Sequence, residues 1–543
     1  TVGIGHTRWA THGEPSENNA HPHKGKTVAL VHNGIIENYL TLREFLLAHR
    51  FTFQSETDSE VMVHLVDYYL DQNLDLLEAV RKSAQMLEGT YAFGILSSRY
   101  PDTLIGLRRG SPLVVGCTEH GHFIASDIPA FLPFTRQAIP LDEGDIVLME
   151  EKKLKIFDEE GKLKNPSVFY VPWDPITAEK SGYRYFMEKE IYEQPRAVAD
   201  TLRERVSPSR PSLDLDTLSP ELLRSTNLVQ IIACGTSYHA GLVGKYLLEE
   251  CAGIPTMVEI ASEFRSRKVT LPPHSLLIAI SQSGETADTL VGVKMAKEKD
   301  IPILAITNTL GNSLTRLADE VLYTRAGLEI GVAATKTYTC QLTVLLLLAL
   351  YWGKIRNILS DEEIELYLQH LRHLPRVMEE ILSQPYTSEI EKLAHRYAKK
   401  HNALYLGRGI HYPTAMEGAL KLKEISYIHA EAYAGGEMKH GPIALIDEEL
   451  PVVVIAPYDA HFPKILGNIR EVQARRGEVL LFTSADAPEI SDCATVIKLP
   501  VVLPFVYPIT MILPLQLFAY HIAVIRGYDV DQPRNLAKTV TVE

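Results

Sequence analysis

The segment Ser281-Gln-Ser-Gly-Glu-Thr286 crowds the hydroxyls of Ser281, Ser283 and Thr286 and the amide of Gln282 around one glycine, between an apolar run and a stretch with helical spacing. Exposed N–H groups and the positive dipole end at such a helix start make a ready phosphate site. Serine and threonine are also the ordinary helix-capping residues, so one such loop leaves both readings open. A second hydroxyl loop, Cys234-Gly-Thr-Ser237, follows another apolar run at the equivalent place, and the pair favours a bound phosphate.

Glu417, Lys421 and Glu424 are spaced four and then three residues apart, which puts them on one face of a helix. A solvated ladder of ion pairs is the plain account of that spacing. The loop Gly435-Gly-Glu-Met-Lys-His-Gly-Pro442 follows closely and sets His440 in a glycine and proline bracket. A carboxylate and an imidazole together suit proton transfers on a carbonyl compound. Lys538 lies in a segment that would ordinarily fray, its ammonium solvated. Pro533 pins that segment, and Leu536, Val540 and Val542 give it apolar footing. A lysine docked there and desolvated has the amine needed for a Schiff base with a sugar carbonyl.

His6, His12, His21, His23 and His32 invite a metal reading. No carboxylate or thiolate spacing accompanies them, and Pro22 keeps His21 and His23 off a helix, so neither metal nor cofactor is expected. Cys117, Cys234, Cys251, Cys340 and Cys493 are scattered without a C-x-x-C pair, which fits a reducing, cytoplasmic setting.

The elements that must position these groups fall into two textures. Up to about residue 172 the chain reads as a sheet-dominated α+β domain, with strands at Val28–Val31, Tyr91–Leu96, Leu113–Val115, His122–Ile124 and Asp145–Met149. Helical spacing covers Tyr39–Ala48 and Ser59–Leu70. A polar connector, residues 173–219, precedes strands and helices in βαβ alternation, the mark of parallel sheets. That second texture repeats: residues 229–235 correspond to 403–409, and 275–281 to 450–456, at an offset of about 174 to 175 residues. Two α/β domains of one topology follow, over residues 220–360 and 361–530, with 531–543 as a tail. Only the first copy keeps hydroxyls at its strand ends; the second has Gly407-Arg-Gly409 and Ala456-Pro-Tyr458 there.

At 543 residues the chain exceeds one core. Its net charge of −14, with no basic stripe, argues against nucleic acid and anionic membrane as partners. The apolar runs Leu342–Trp352, too short to span a bilayer, and Leu499–Ile525, broken by four prolines, read as buried helices.

The motifs HTRWATHGEP, HNGIIEN, SETDSE, CGTS, SQSGETADTL, EIGVAATKTYT, EGALKLKEISYIHAEAYAGGEMKHGP and DQPRNLAKTVTVE run in order along essentially the whole chain. Together they resemble the family of glucosamine-6-phosphate synthases, the isomerising glutamine:fructose-6-phosphate amidotransferases. The resemblance implies a glutaminase domain of the N-terminal-nucleophile hydrolase type over residues 1–172, then two sugar-isomerase (SIS) domains, with ammonia passing internally from glutamine to fructose 6-phosphate. It implies that Arg8 holds the glutamine carboxylate with help from His12, that Asn33 and Gly34 build the oxyanion hole, that Asp58 binds the glutamine amino group, and that Trp9 gates the ammonia channel. At the sugar site it assigns contacts to Thr236, Ser237, Ser281, Gln282, Ser283 and Thr286, with Val332 lining the pocket. It gives ring opening to His440, contributed across a homodimer interface, and the Schiff base to Lys538. Glu424, supported by Lys421, moves the proton between C1 and C2.

Family members begin at a catalytic cysteine, whereas Thr1 matches a position inside the first domain, so that domain is expected to be incomplete at its N-terminus. Cys117 sits in a different motif and is no substitute. The chain is then expected to keep at most the isomerase and ammonia-dependent half of the reaction. The competing readings are a phosphosugar-binding SIS regulator without turnover, which has no need of Glu424, His440 and Lys538 together, and a fructosamine-phosphate deglycase, which has no need of Arg8, Asn33 and Asp58.

Overall fold

The computed structural model describes residues 2–7, 12–171, 179–203, 205–206, 213, 215, 218–484, 486 and 494–541. The chain divides into two units, one made of residues 1–179, 285–287 and 539–543, the other of 180–284 and 288–538.

In the first unit, period-two alternation runs the whole length of Val28–Ile36, where Val28, Leu30, His32, Gly34 and Ile36 are buried. The strand expected to stop at Val31 therefore continues through His32-Asn33-Gly34, which pairs antiparallel with Tyr91, Ala92 and Phe93. Gly34 makes this possible. Its φ is +143°, and a Cβ there would lie 2.1 Å from the Thr90 carbonyl oxygen. Val28–Ile36 belongs to a seven-stranded antiparallel sheet, and a four-stranded antiparallel sheet contains Val114–Cys117. Helices Tyr39–Ala48 and Glu60–Leu70, both anticipated, pack with Leu76–Ala84 against one face of the larger sheet. Leu104, Val147 and Met149 of that sheet share a core with Val115 and Ile139 of the smaller one.

In the second unit two five-stranded parallel sheets repeat one order. The first runs Thr256–Ile260, Leu228–Ala233, Ser275–Ser281, Ile303–Thr307, Glu320–Tyr323; the second runs His429–Ala434, Asn402–Gly407, Pro451–Ile455, Glu478–Thr483, Ala494–Lys498. The repeat read from the sequence is thus a repeat of topology. Helices Lys336–Ile355 and Tyr507–Ile525 sit in a core continuous between the sheets. The first is 20 residues long, more than its apolar run suggested, so burial rather than length identifies it: 83% of its most apolar window is inside the unit. Pro514 does not break the second helix, because Pro508 lies in the first turn and Pro514 is carried within the continuous span.

The connector is only partly a connector. Phe186–Tyr192 and Gln194–Leu202 are helices whose Met187, Ile191 and Val198 are fully buried in the core of the second unit.

Candidate active site

In each parallel sheet the strand order reverses between the first strand in sequence and the third, and the crevice at that reversal is where open α/β sheets hold ligands. In the first sheet the crevice lies between Leu228–Ala233 and Ser275–Ser281, and both hydroxyl loops flank it. Ser237 is buried and its Oγ accepts from Gln341 Nε2 at 3.0 Å. Ser281 is buried, and its Oγ accepts from the Gly284 N–H at 3.0 Å, closing the turn that precedes the helix Ala287–Lys297. Gln282, Ser283 and Thr286 are half-buried along the same loop.

The helix His411–Ser426 brings Glu417, Lys421 and Glu424 beside Thr236. Lys421 and Glu417 are fully buried, with Nζ 3.2 Å from Glu417 and 2.7 Å from Glu424, whose side chain is 20% exposed. Thr236 Oγ1 lies 3.0 Å from Glu417 Oε1 and accepts from Lys421 at 3.1 Å; His239 Nδ1 lies 2.7 Å from the other Glu417 oxygen. A solvated ladder is therefore not what this spacing makes. Burial works against the Lys421 charge, but Glu417 and Glu424 outweigh it and hold its ammonium well above the usual lysine value. Burial likewise opposes ionisation of Glu417, and Lys421 with His239 reverses the sign, keeping it a carboxylate.

Lys538 enters from the tail. Its Nζ pairs with Glu329 and donates to the Gly331 carbonyl at 2.8 Å, and its side chain is 20% exposed. Glu329 is wholly buried and also accepts from the N–H groups of Thr335 and Thr337 and from Thr337 Oγ1 at 2.7 Å. Burial pushes its carboxyl up, but the Lys538 charge and these donors prevail and lower it. Val332, half-buried, donates its N–H to the Asp531 carbonyl at 3.1 Å. The Asp531 carboxylate in turn accepts from the Phe186 and Met187 N–H groups, both at 2.9 Å, at the start of the Phe186–Tyr192 helix.

His440 stands apart. It ends a 3-10 turn, Glu437–His440, and is exposed; among the described residues no hydrogen bond or ion pair ties it to Glu424 or Lys538.

In the first unit, Asp58 is buried and its Oδ2 accepts from the Ile36 N–H at 2.7 Å, while its Oδ1 lies 3.7 Å from His12 Nδ1. Asn33 Nδ2 donates to Thr541 Oγ1 at 3.2 Å. His12, Asp58 and the Asn33–Gly34 strand thus converge, whereas Arg8 and Trp9 lie outside the described residues. His32 is buried against Phe93, its Nδ1 2.8 Å from Ser59 Oγ.

Glu329 and Glu190 were not singled out from sequence. Glu329 was legible only as a lone acid between Leu328 and Ile330, and Glu190 only as one of several acids in a polar stretch.

An amidotransferase domain joined to paired sugar-isomerase domains is the class this fold defines. The SIS domain model matches residues 222–351 and 396–526, and the glutamine amidotransferase domain model matches residues 6–133. The chain is 51% identical, over all of its length and 89% of the relative's, to the glutamine–fructose-6-phosphate aminotransferase (isomerizing) of Escherichia coli strain K12, and equally to that of Yersinia pestis. The solved C-terminal domain of glucosamine-fructose-6-phosphate aminotransferase from Francisella tularensis matches with a TM-score of 0.62 and 42% identity, over 65% of this chain and 100% of that one. Tagatose-6-phosphate ketose/aldose isomerase from Escherichia coli shares the fold, with a TM-score of 0.53 at 22% identity over 65% of this chain and 95% of its own. The chain belongs to the family of glutamine–fructose-6-phosphate aminotransferases (isomerizing) and is an aminotransferase.

Proposed function

We propose that the second unit carries the sugar half of the family's reaction and the first binds glutamine. One observation carries the reading: a held amine, Lys538, and a buried lysine paired with a part-exposed carboxylate, Lys421 with Glu424, occur in the same unit.

Ser281, Gln282, Ser283 and Thr286 take the phosphate of fructose 6-phosphate, Thr236 and Ser237 add further polar contacts, and Val332 lines the pocket. The Lys538 amine, freed of its proton, adds to the C2 carbonyl; water leaves and an imine remains. Ammonia then displaces the lysine nitrogen. Glu424 takes a proton from C1 and returns one at C2, and Lys421, 2.7 Å away, holds the carboxylate in place. His440 opens the sugar ring from a second copy of the chain in a homodimer, a role supported by its exposure.

For the first unit the reading is a glutamine-binding domain of the N-terminal-nucleophile hydrolase fold. Arg8, His12 and Asp58 hold glutamine, Asn33 and Gly34 donate to the oxyanion, and Trp9 gates the ammonia. The convergence of His12, Asp58 and the Gly34 strand supports this.

Borohydride reduction in the presence of fructose 6-phosphate, followed by mass spectrometry, tests the central step. A hexose 6-phosphate adduct on Lys538 is expected. Sugar binding without an adduct at that residue would overturn the reading in favour of a sensor.

A further inference from the structure

The Phe186–Tyr192 helix lies in the polar connector between the two textures, yet it buries an acid against the loop that receives Lys538. Glu190 is 2% exposed. Its Oε1 accepts from the N–H groups of Ile330 and Gly331, the latter at 3.2 Å, and a Cβ on Gly331 would come within 2.8 Å of its Oε2. The carboxyl thus grips the backbone between Glu329, which pairs with the Lys538 amine, and the Gly331 carbonyl, which accepts from it. Oε2 is buried with no hydrogen-bond partner among the described residues.

We propose that Glu190 is a positioning residue for Lys538: it sets the Glu329–Gly331 loop that aims the amine. This rests on Lys538 being the amine that meets the sugar.

Charged groups crowd the same loop. Glu329 precedes the gripped backbone, Lys538 comes from the tail, and Lys336, at the start of the Lys336–Ile355 helix, is held at 2.7 Å by Glu193, which also lies 3.6 Å from Lys189. Asp531, paired with Lys180 at 3.4 Å, caps the same short helix. Burial, then the Glu329 charge, pushes the Glu190 carboxyl up to about 7 against the pull of Lys538 and Lys336.

The experiment measures the rate of borohydride trapping of fructose 6-phosphate on Lys538 in the intact protein, together with KM and kcat for the sugar reaction. Glu190→Ala, which releases the loop, is expected to lower kcat and the trapping rate about tenfold with KM little changed. Glu190→Gln keeps an oxygen for the Ile330 and Gly331 N–H groups and is expected to restore most of the lost rate. Should Glu190→Gln fail to fold, Glu190→Asp, with a shorter reach, is expected to trap at a rate between those of Glu190→Ala and the unsubstituted protein. Trapping at the unsubstituted rate in Glu190→Ala, or no faster in Glu190→Gln or Glu190→Asp than in Glu190→Ala, overturns the inference and leaves the Lys538 reading standing. Absence of any adduct on Lys538 in the unsubstituted protein overturns both.

Discussion

Lys421 and Glu417 lie 3.2 Å apart with neither side chain exposed to solvent. Removing one partner of a buried pair strands the other charge, so Lys421→Met is expected to lose roughly 3–5 kcal/mol of stability. Adding Glu417→Gln to Lys421→Met removes the stranded charge and should recover at least half of the loss. Urea denaturation of the two variants checks this; a double variant no more stable than the single one would contradict it.

Glu424 is different because its side chain reaches solvent. Glu424→Gln is expected to leave stability within about 1 kcal/mol and to slow turnover of fructose 6-phosphate by about 10²–10⁴-fold. The Lys538 adduct should still form, since imine formation precedes the proton transfer. Turnover at the unsubstituted rate would remove Glu424 from the mechanism.

Burial, partly offset by the Asp58 charge, moves the His32 imidazole from 6.5 down to about 4. Between those values the unfolded chain binds a proton that the folded strand does not. Stability is therefore full above pH 6.5 and falls as pH drops toward 4, by about 3 kcal/mol. Hydrogen exchange of the Val28–Ile36 amides, corrected for intrinsic rate, should show the loss, and His32→Gln should flatten it.

Gly34→Ala meets the Thr90 carbonyl oxygen and an unfavourable φ together. A loss of at least about 2 kcal/mol is expected from a strand that must unpair locally to admit the methyl group. Thermal unfolding reads it directly.

Periodicity made the larger framework legible before any coordinates. Tyr39–Ala48 and Ser275–Ser281 begin and end where the pattern placed them: the helix turns Leu42 and Leu46 to one core, and the strand buries Leu276, Ile278 and Ile280 on one face and Leu277 and Ala279 on the other. The Leu76–Ala84 helix was legible too: Leu76, Ala79, Val80 and Ser83 keep the i, i+3, i+4, i+7 spacing behind the capping residue Asp75. His32-Asn33-Gly34 looked like the end of a strand because polar residues and glycine usually mark turns. Here His32 is buried with Nδ1 on Ser59, a contact that spacing cannot reveal. The same limit applies on the His411–Ser426 helix. Glu417, Lys421 and Glu424 could be placed on one face, but whether that face met water or another domain depended on Thr236 and His239, far away in sequence. Glu190 and Glu329 are single acids whose meaning comes from burial beside a lysine from the tail.

The cap that Asp531 supplies to the Phe186–Tyr192 helix joins residues 345 apart in sequence. At about 5–20 residues per second, synthesis of the stretch between them occupies on the order of 20 to 70 s. Throughout that interval the early helix lacks its capping carboxylate, and the Glu329 loop lacks its amine. A nascent chain can therefore complete both parallel sheets before the segment that ties the early helix and the Glu329 loop together has been made.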